Sequence, residues 1–96
     1  MASAAQLEVA AAICHAMSDP ARLRLLLWLV DGERCVSELV QYEQAKLSSV
    51  SARLQTLHAA RLITRRREAK HVFYALADEH VRGLLHNILT HAAEAA

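Results

Sequence analysis

Aromatic residues, cysteines and long apolar runs are all scarce in this chain, and each shortage excludes something. Aromatics make up only 4% of a sequence that is 54% hydrophobic, so alanine and leucine dominate and favour closely packed helices. No stretch approaches the roughly 18 consecutive apolar residues of a membrane span. Arg22, Arg24 and Asp31 interrupt the most hydrophobic segment, and no membrane partner is expected. The beginning of the chain lacks a basic segment followed by an apolar one, so the expectation is no secretion signal and a cytoplasmic location. The two cysteines, Cys14 and Cys35, do not suggest a disulfide scaffold. There is no glycine-rich loop, nucleophile elbow or separate general base, and an enzyme is not expected. With neither internal repeats nor low-complexity linkers, residues 1–96 read as a single domain. A domain this small would be helped by a dimer interface in burying a core.

The net charge of +1 conceals a strong asymmetry. Between Lys46 and Tyr74 lie Lys46, Arg53, Arg61, Arg65, Arg66, Arg67 and Lys70, with Glu68 the only acid. The remainder carries four arginines against nine acids. Such segregation points to a middle segment that faces a polyanion, with a merely solvated basic surface as the alternative.

Local patterns give the element order. Ser3 to Met17 places Leu7, Ala10, Ile13, Cys14 and Met17 on one apolar face and reads as a helix. Ser18-Asp19-Pro20 ends it and starts the next, because aspartate can cap and proline is tolerated at a first helical position. Ala21 to Val30 is nearly all apolar and reads as a buried helix, with Gly32 expected to supply a left-handed cap. A short helix is expected from Ser37 to about Tyr42. Another follows Leu47-Ser48-Ser49, with Val50, Leu54 and Leu57 on its core side. The other faces of that helix show Ser48, Ser49, Ser51, Ala52, Arg53, Gln55 and Thr56, groups that suit base edges and phosphates in a major groove. The pair of helices is consistent with a helix-turn-helix. Leu62 to Arg66 and His71 to Leu76 are β-prone and read as a hairpin with Val72, Tyr74 and Leu76 on one face. Its basic tip, with Arg65, Arg66, Arg67 and Lys70 in or beside it, would form a wing able to touch sugar-phosphate or the minor groove. The fold class is therefore mainly α with a small β-hairpin, in the order α-α-α-α-β-β-α.

The closing stretch, Asp78 to Glu94, carries Val81, Leu84, Leu85, Ile88, Leu89 and Ala92 at helical spacing, with Asp78 as its N-cap. Asp78, His80, His91 and Glu94 are potential metal ligands along it. His91 and Glu94 are close enough in sequence to share an ion. His80 and His91 return to nearly the same azimuth but stand about 16 Å apart along the axis, at 1.5 Å rise per residue. Zinc–nitrogen bonds are about 2 Å, so a single helix cannot join them. An antiparallel copy would set Asp78 and His80 of one chain beside His91 and Glu94 of another, and a two-fold axis would make two such sites. A mixture of imidazole and carboxylate suits zinc or cobalt, whereas nickel usually takes more ligands. Zinc is the expected ion, with cobalt or nickel behind it.

Taken together, Ser18-Asp19-Pro20-Ala21-Arg22-Leu23-Arg24-Leu25-Leu26, Cys35-Val36-Ser37-Glu38-Leu39, Ser48-Ser49-Val50-Ser51-Ala52-Arg53-Leu54, His71-Val72-Phe73-Tyr74-Ala75-Leu76 and the closing helix resemble the ArsR/SmtB family of winged-helix metalloregulators. The resemblance implies a winged helix-turn-helix, a homodimer through the terminal helices, and repression by binding double-stranded operator DNA until an inducer binds. It also implies the zinc- or cobalt-type ligand pattern D-x-H followed by H-x-x-E, which Asp78, His80, His91 and Glu94 fit. The family's other common site surrounds a C-V-C motif. Here Cys35 matches the first cysteine and Ser37 stands in place of the second, so a soft thiolate site looks incomplete. Ala52 stands where the recognition helix often carries histidine, so operator preference does not carry over. A thiol-based redox or arsenite-type sensor using Cys14 and Cys35 remains the alternative inducer response.

Overall fold

Leucine-rich helices supply most of the core, and three short strands close one side of it. The computed structural model describes all residues, Met1–Ala96. Its elements are α1 (Ala4–Ala16), α2 (Pro20–Trp28), β1 (Arg34–Cys35), α3 (Val36–Glu43), α4 (Leu47–Ala59), β2 (Ile63–Glu68), β3 (His71–Leu76) and α5 (Glu79–Ala95). Leu25, Leu26, Leu29, Leu39, Val50, Leu54 and Leu57 are wholly buried where α2, α3 and α4 meet. Tyr74 and Leu76 extend the core from the sheet, and Val81 and Leu85 from α5.

The helix boundaries follow local chemistry. Ser3 caps α1 in a reciprocal box with Gln6, and Asp19 accepts from the Arg22 amide at 3.0 Å with Pro20 opening α2. The expected end of α2 is revised. Its cap is Leu29 in a right-handed conformation, while Gly32, at φ +141°, turns the chain three residues later. The connection from α3 to α4 runs through Gln44 in the left-handed region at φ 50°.

The hairpin is longer than its sequence suggests. β2 reaches Glu68, so Arg67 and Glu68 belong to the strand rather than the turn, leaving Ala69 and Lys70 at the tip with Ala69 at φ 54°. The register pairs Arg65 with Tyr74, Arg66 with Phe73 and Arg67 with Val72. β1 was not anticipated: two residues pair with β3 opposite Tyr74 and Phe73, making a three-stranded antiparallel sheet ordered β1–β3–β2. So short a strand has too little periodicity to be seen without its partner.

Glu43, at the end of α3, joins the helices. Its side chain is only 1% exposed, and it accepts from Arg24 Nε at 2.8 Å, Arg24 Nη2 at 2.9 Å and Trp28 Nε1 at 2.8 Å. Tyr42 packs against the Trp28 ring, with centroids 4.7 Å apart. The Arg24 hydrogen bond, helped by that from Trp28, outweighs desolvation and holds the Glu43 carboxyl below its usual range. A carboxylate depressed in the folded state stabilises the fold above its unfolded pKa, and that stability is lost as pH falls through the folded value. Glu43→Gln should cost about 1–2 kcal/mol at neutral pH through weakened charge-assisted bonds. Thermal melts at stepped pH check this: the gap between wild type and variant should close as pH drops below about 4.

Candidate nucleic-acid interface and metal half-sites

The expected DNA-facing residues gather on α4 and the wing. Val50, Leu54 and Leu57 anchor α4 to the core, which turns the rest of the helix outward. Ser48, Ala52, Gln55 and Thr56 are exposed, while Ser49, Ser51 and Arg53 are half-buried. Thr56 bonds its hydroxyl back to the Ala52 carbonyl at 3.2 Å. Between α3, α4 and the hairpin lies an open groove of about 760 Å³. Ser51, Gln55 and His58 line one wall, Arg65, Lys70 and His71 the other, and no carboxylate lines it. A cleft edged by cations and hydrogen-bond donors without acids attracts a phosphate chain.

The arginines of the wing divide into two groups. Alternation along β2 puts Arg65 and Arg67 on the side of Tyr74 and Val72. Neither makes an ion pair, nor does Lys70. Arg66 points to the opposite side. It donates to Glu33 at 2.6 and 3.0 Å and to Glu68 at 2.7 Å, and its guanidinium lies 4.5 Å over the Phe73 ring. The hydrogen bond from Arg66 lowers the Glu33 carboxyl, and the Glu33 hydrogen bond raises the guanidinium in turn. Of the expected basic contacts, Arg66 is thus the one already occupied, bracing the wing against the loop after α2. Sequence reasoning overlooked this because Glu33 lies 33 positions from Arg66.

The proposed metal ligands fall into two pairs on one protomer. Asp78 caps α5 through Oδ1, which accepts from the Val81 amide at 3.0 Å. The same oxygen is 3.7 Å from His80 Nδ1, and both side chains are open to solvent. Asp78 Oδ2 makes no hydrogen bond within the chain. His91 and Glu94 are exposed near the other end of α5. No three His, Cys, Asp or Glu side chains come together to hold an ion within one chain. The donors present suit a zinc-like ion chemically, but one protomer offers only half of each set.

Between the two pairs runs an unburied apolar stripe. At about 100° per residue, Leu84 and Ile88 lie on the same side of α5 as His80 and His91. Leu84, Ile88 and Leu89 are 38–40% exposed, whereas Val81 and Leu85 face the core. Arg82 ties this helix to the turn after α2: Nε and Nη2 donate to the Val30 carbonyl at 3.1 and 2.9 Å, and the guanidinium pairs with Glu79. The cysteines do not form a visible pair. Cys14 is exposed on α1, and Cys35 Sγ is 3.0 Å from Ser37 Oγ.

Comparison with known proteins decides the family. A family model described as bacterial regulatory protein, arsR family, matches residues 19–65. The HTH-type transcriptional repressor SmtB of Mycobacterium tuberculosis is 34% identical over 90 residues, covering 94% of this chain and 67% of that protein. The chain belongs to the ArsR/SmtB family. A transcriptional repressor SmtB homolog of Synechocystis is 39% identical over 79 residues, covering 82% of this chain, which spans 60% of that relative's length. The solution structure of a homodimeric winged helix-turn-helix DNA-binding domain from Mycobacterium bovis superposes with a TM-score of 0.90 at 32% identity, covering 98% of this chain and 92% of that one. The fold is a winged helix-turn-helix, and the relatives the chain matches are named as DNA-binding transcriptional regulators. No helix is long and apolar enough to cross a membrane.

Loss of one phosphate contact should flatten the salt dependence of DNA affinity by about 0.9 in log–log slope. Arg65→Ala, Arg67→Ala and Lys70→Ala should each show this. Arg66→Ala should instead lower the melting temperature by releasing Glu33, with a smaller change in slope. Binding isotherms at stepped salt, read beside thermal melts, separate the two outcomes.

Proposed function

We propose that this chain is a metal-responsive repressor that binds operator DNA as a homodimer and leaves it when zinc, or cobalt, binds between two terminal helices. One observation carries the reading: α5 bears two exposed donor pairs at its ends and an exposed apolar stripe between them on the same side. A second, antiparallel copy would cover Leu84 and Ile88 and bring Asp78 and His80 beside the other chain's His91 and Glu94. Leu7 and Val9 of α1 and Leu27 of α2 are exposed as well and extend the surface available to a partner. The relatives named as SmtB transcriptional repressors and the homodimeric neighbour support this reading.

In this proposal α4 enters the major groove while Arg65, Arg67 and Lys70 hold phosphate, and two-fold symmetry sets the spacing of the half-sites. A bound divalent ion would supply a cross-link between paired helices, held by two imidazole nitrogens and two carboxylate oxygens. The chain already has the connections that make α5 and the wing interdependent. Arg82 fastens α5 to the Val30 carbonyl, and three residues later Glu33 fastens Arg66 of the wing. Movement of α5 against α2 therefore strains contacts that orient the wing, and a ligand favouring one dimer geometry is linked to DNA affinity with the opposite sign. Histidine must be neutral to bind, so metal affinity should fall at acid pH.

A complementation experiment tests the inter-subunit site. His80→Ala and His91→Ala homodimers should each bind operator yet fail to release it with zinc. Mixing the two variants creates heterodimers with one intact set, from the His80 of one chain and the His91 of the other, and zinc-driven release should return in part. Release that survives in both homodimers, or no recovery in verified heterodimers, would sink the assignment. A double Cys14→Ser, Cys35→Ser variant should keep its zinc response; loss of that response would favour the thiol reading.

A further inference from the structure

Large exposed apolar side chains cluster on the surfaces already assigned to dimerisation: Leu7 and Val9 on α1, Leu27 on α2, and Leu84, Ile88 and Leu89 on α5. Tyr42 is covered on one face by Trp28. Leu47 fits neither description. It is the first residue of α4, is 59% exposed, and lines the groove between α4 and the wing. Val36, Val40, Val72 and Tyr74 also line the groove but are half-buried or buried. Leu47 is therefore the large apolar side chain there that stands open to solvent, with Ser51 and Gln55 one and two helical turns on and Arg65 and Lys70 across the groove.

A leucine in this position has little to offer a phosphate chain, since it neither donates nor accepts a hydrogen bond. The N-terminal residues of a recognition helix are those that meet base edges. The principal apolar feature on the major-groove edges is the C5 methyl group of thymine. Docking would remove the isobutyl group and the methyl from water together, whereas a cytosine amine there would lose its hydrogen bonds. We propose that Leu47 is a specificity-determining residue that selects thymine at one position of each operator half-site. This inference rests on the DNA-binding reading above and adds the base that the helix start prefers.

The test uses the full chain. A preferred duplex is first selected from a random pool, and each thymine is then replaced in turn by uracil, which removes only the methyl. At one thymine per half-site, uracil should weaken wild-type binding about fourfold, the equivalent of one buried methyl-sized group. The same replacement should change binding of Leu47→Ala by less than about twofold, leaving no methyl partner to lose. Leu47→Gln should shift the selected base at that position from thymine towards adenine, whose N6 and N7 match a side-chain amide. Because Leu47 is exposed, all variants should melt within a few degrees of wild type, which a thermal scan verifies. Indifference to uracil at every position, or equal losses in wild type and Leu47→Ala, would overturn the assignment while leaving DNA binding intact. Failure to retain any duplex would overturn the DNA-binding reading and this inference with it.

Discussion

Glu43 ends α3 with its carboxylate almost wholly withdrawn from water, and both oxygens are taken by groups of α2. A carboxylate in such a place is tolerable only when paired and hydrogen-bonded, so Arg24 and Trp28 fix the end of α3 against α2. Gln44 turns the chain immediately afterwards, and α4 begins at Leu47. The direction of the recognition helix is therefore inherited from a polar junction as well as from the leucines beneath it. Hydrophobic burial of Leu39, Leu54 and Leu57 supplies cohesion without direction; the bidentate pair supplies direction.

A second polar junction does the same for the wing. Without β1 the hairpin would be a two-stranded ribbon, which is marginal alone in water. β1 adds a third strand on the β3 edge, and Glu33, just before it, grips Arg66 on β2. One side of the hairpin is thereby anchored to the body while Arg65 and Arg67 remain unpaired on the other. Alternation along a strand makes this division possible, since neighbouring arginines point to opposite sides.

The protomer is incomplete in two ways that coincide on α5. Its outer stripe leaves Leu84, Ile88 and Leu89 in water, and the two donor pairs proposed as ligands would each need two further donors to close a tetrahedron. Packing and the proposed coordination would place the same geometric demand on a partner. Arg82, holding the Val30 carbonyl, links this surface to the loop that carries Glu33, so the proposed inducer site and the DNA-facing side share one short run of backbone.

Much was legible from sequence because it is local. The Asp19 and Asp78 caps, the helical stripes, the inward alternation of Val72, Tyr74 and Leu76, and the segregation of basic residues all follow from spacings of a few residues or from charge counts. The short spacings of Asp78 with His80 and of His91 with Glu94, on which the proposed metal site rests, are local in the same way. What the tertiary structure alone decided are matters of distant partnership: β1, only two residues long, exists because β3 lies beside it. Arg66 is occupied rather than available because Glu33 is brought back against it, and Glu43 is buried because Trp28 and Arg24 meet it there. Leu47 gained its significance in the same way, since exposure and a place in a groove depend on every segment packed around it. Local chemistry determined the elements of this protein, while chain-distant contacts determined which of their side chains remained available for work.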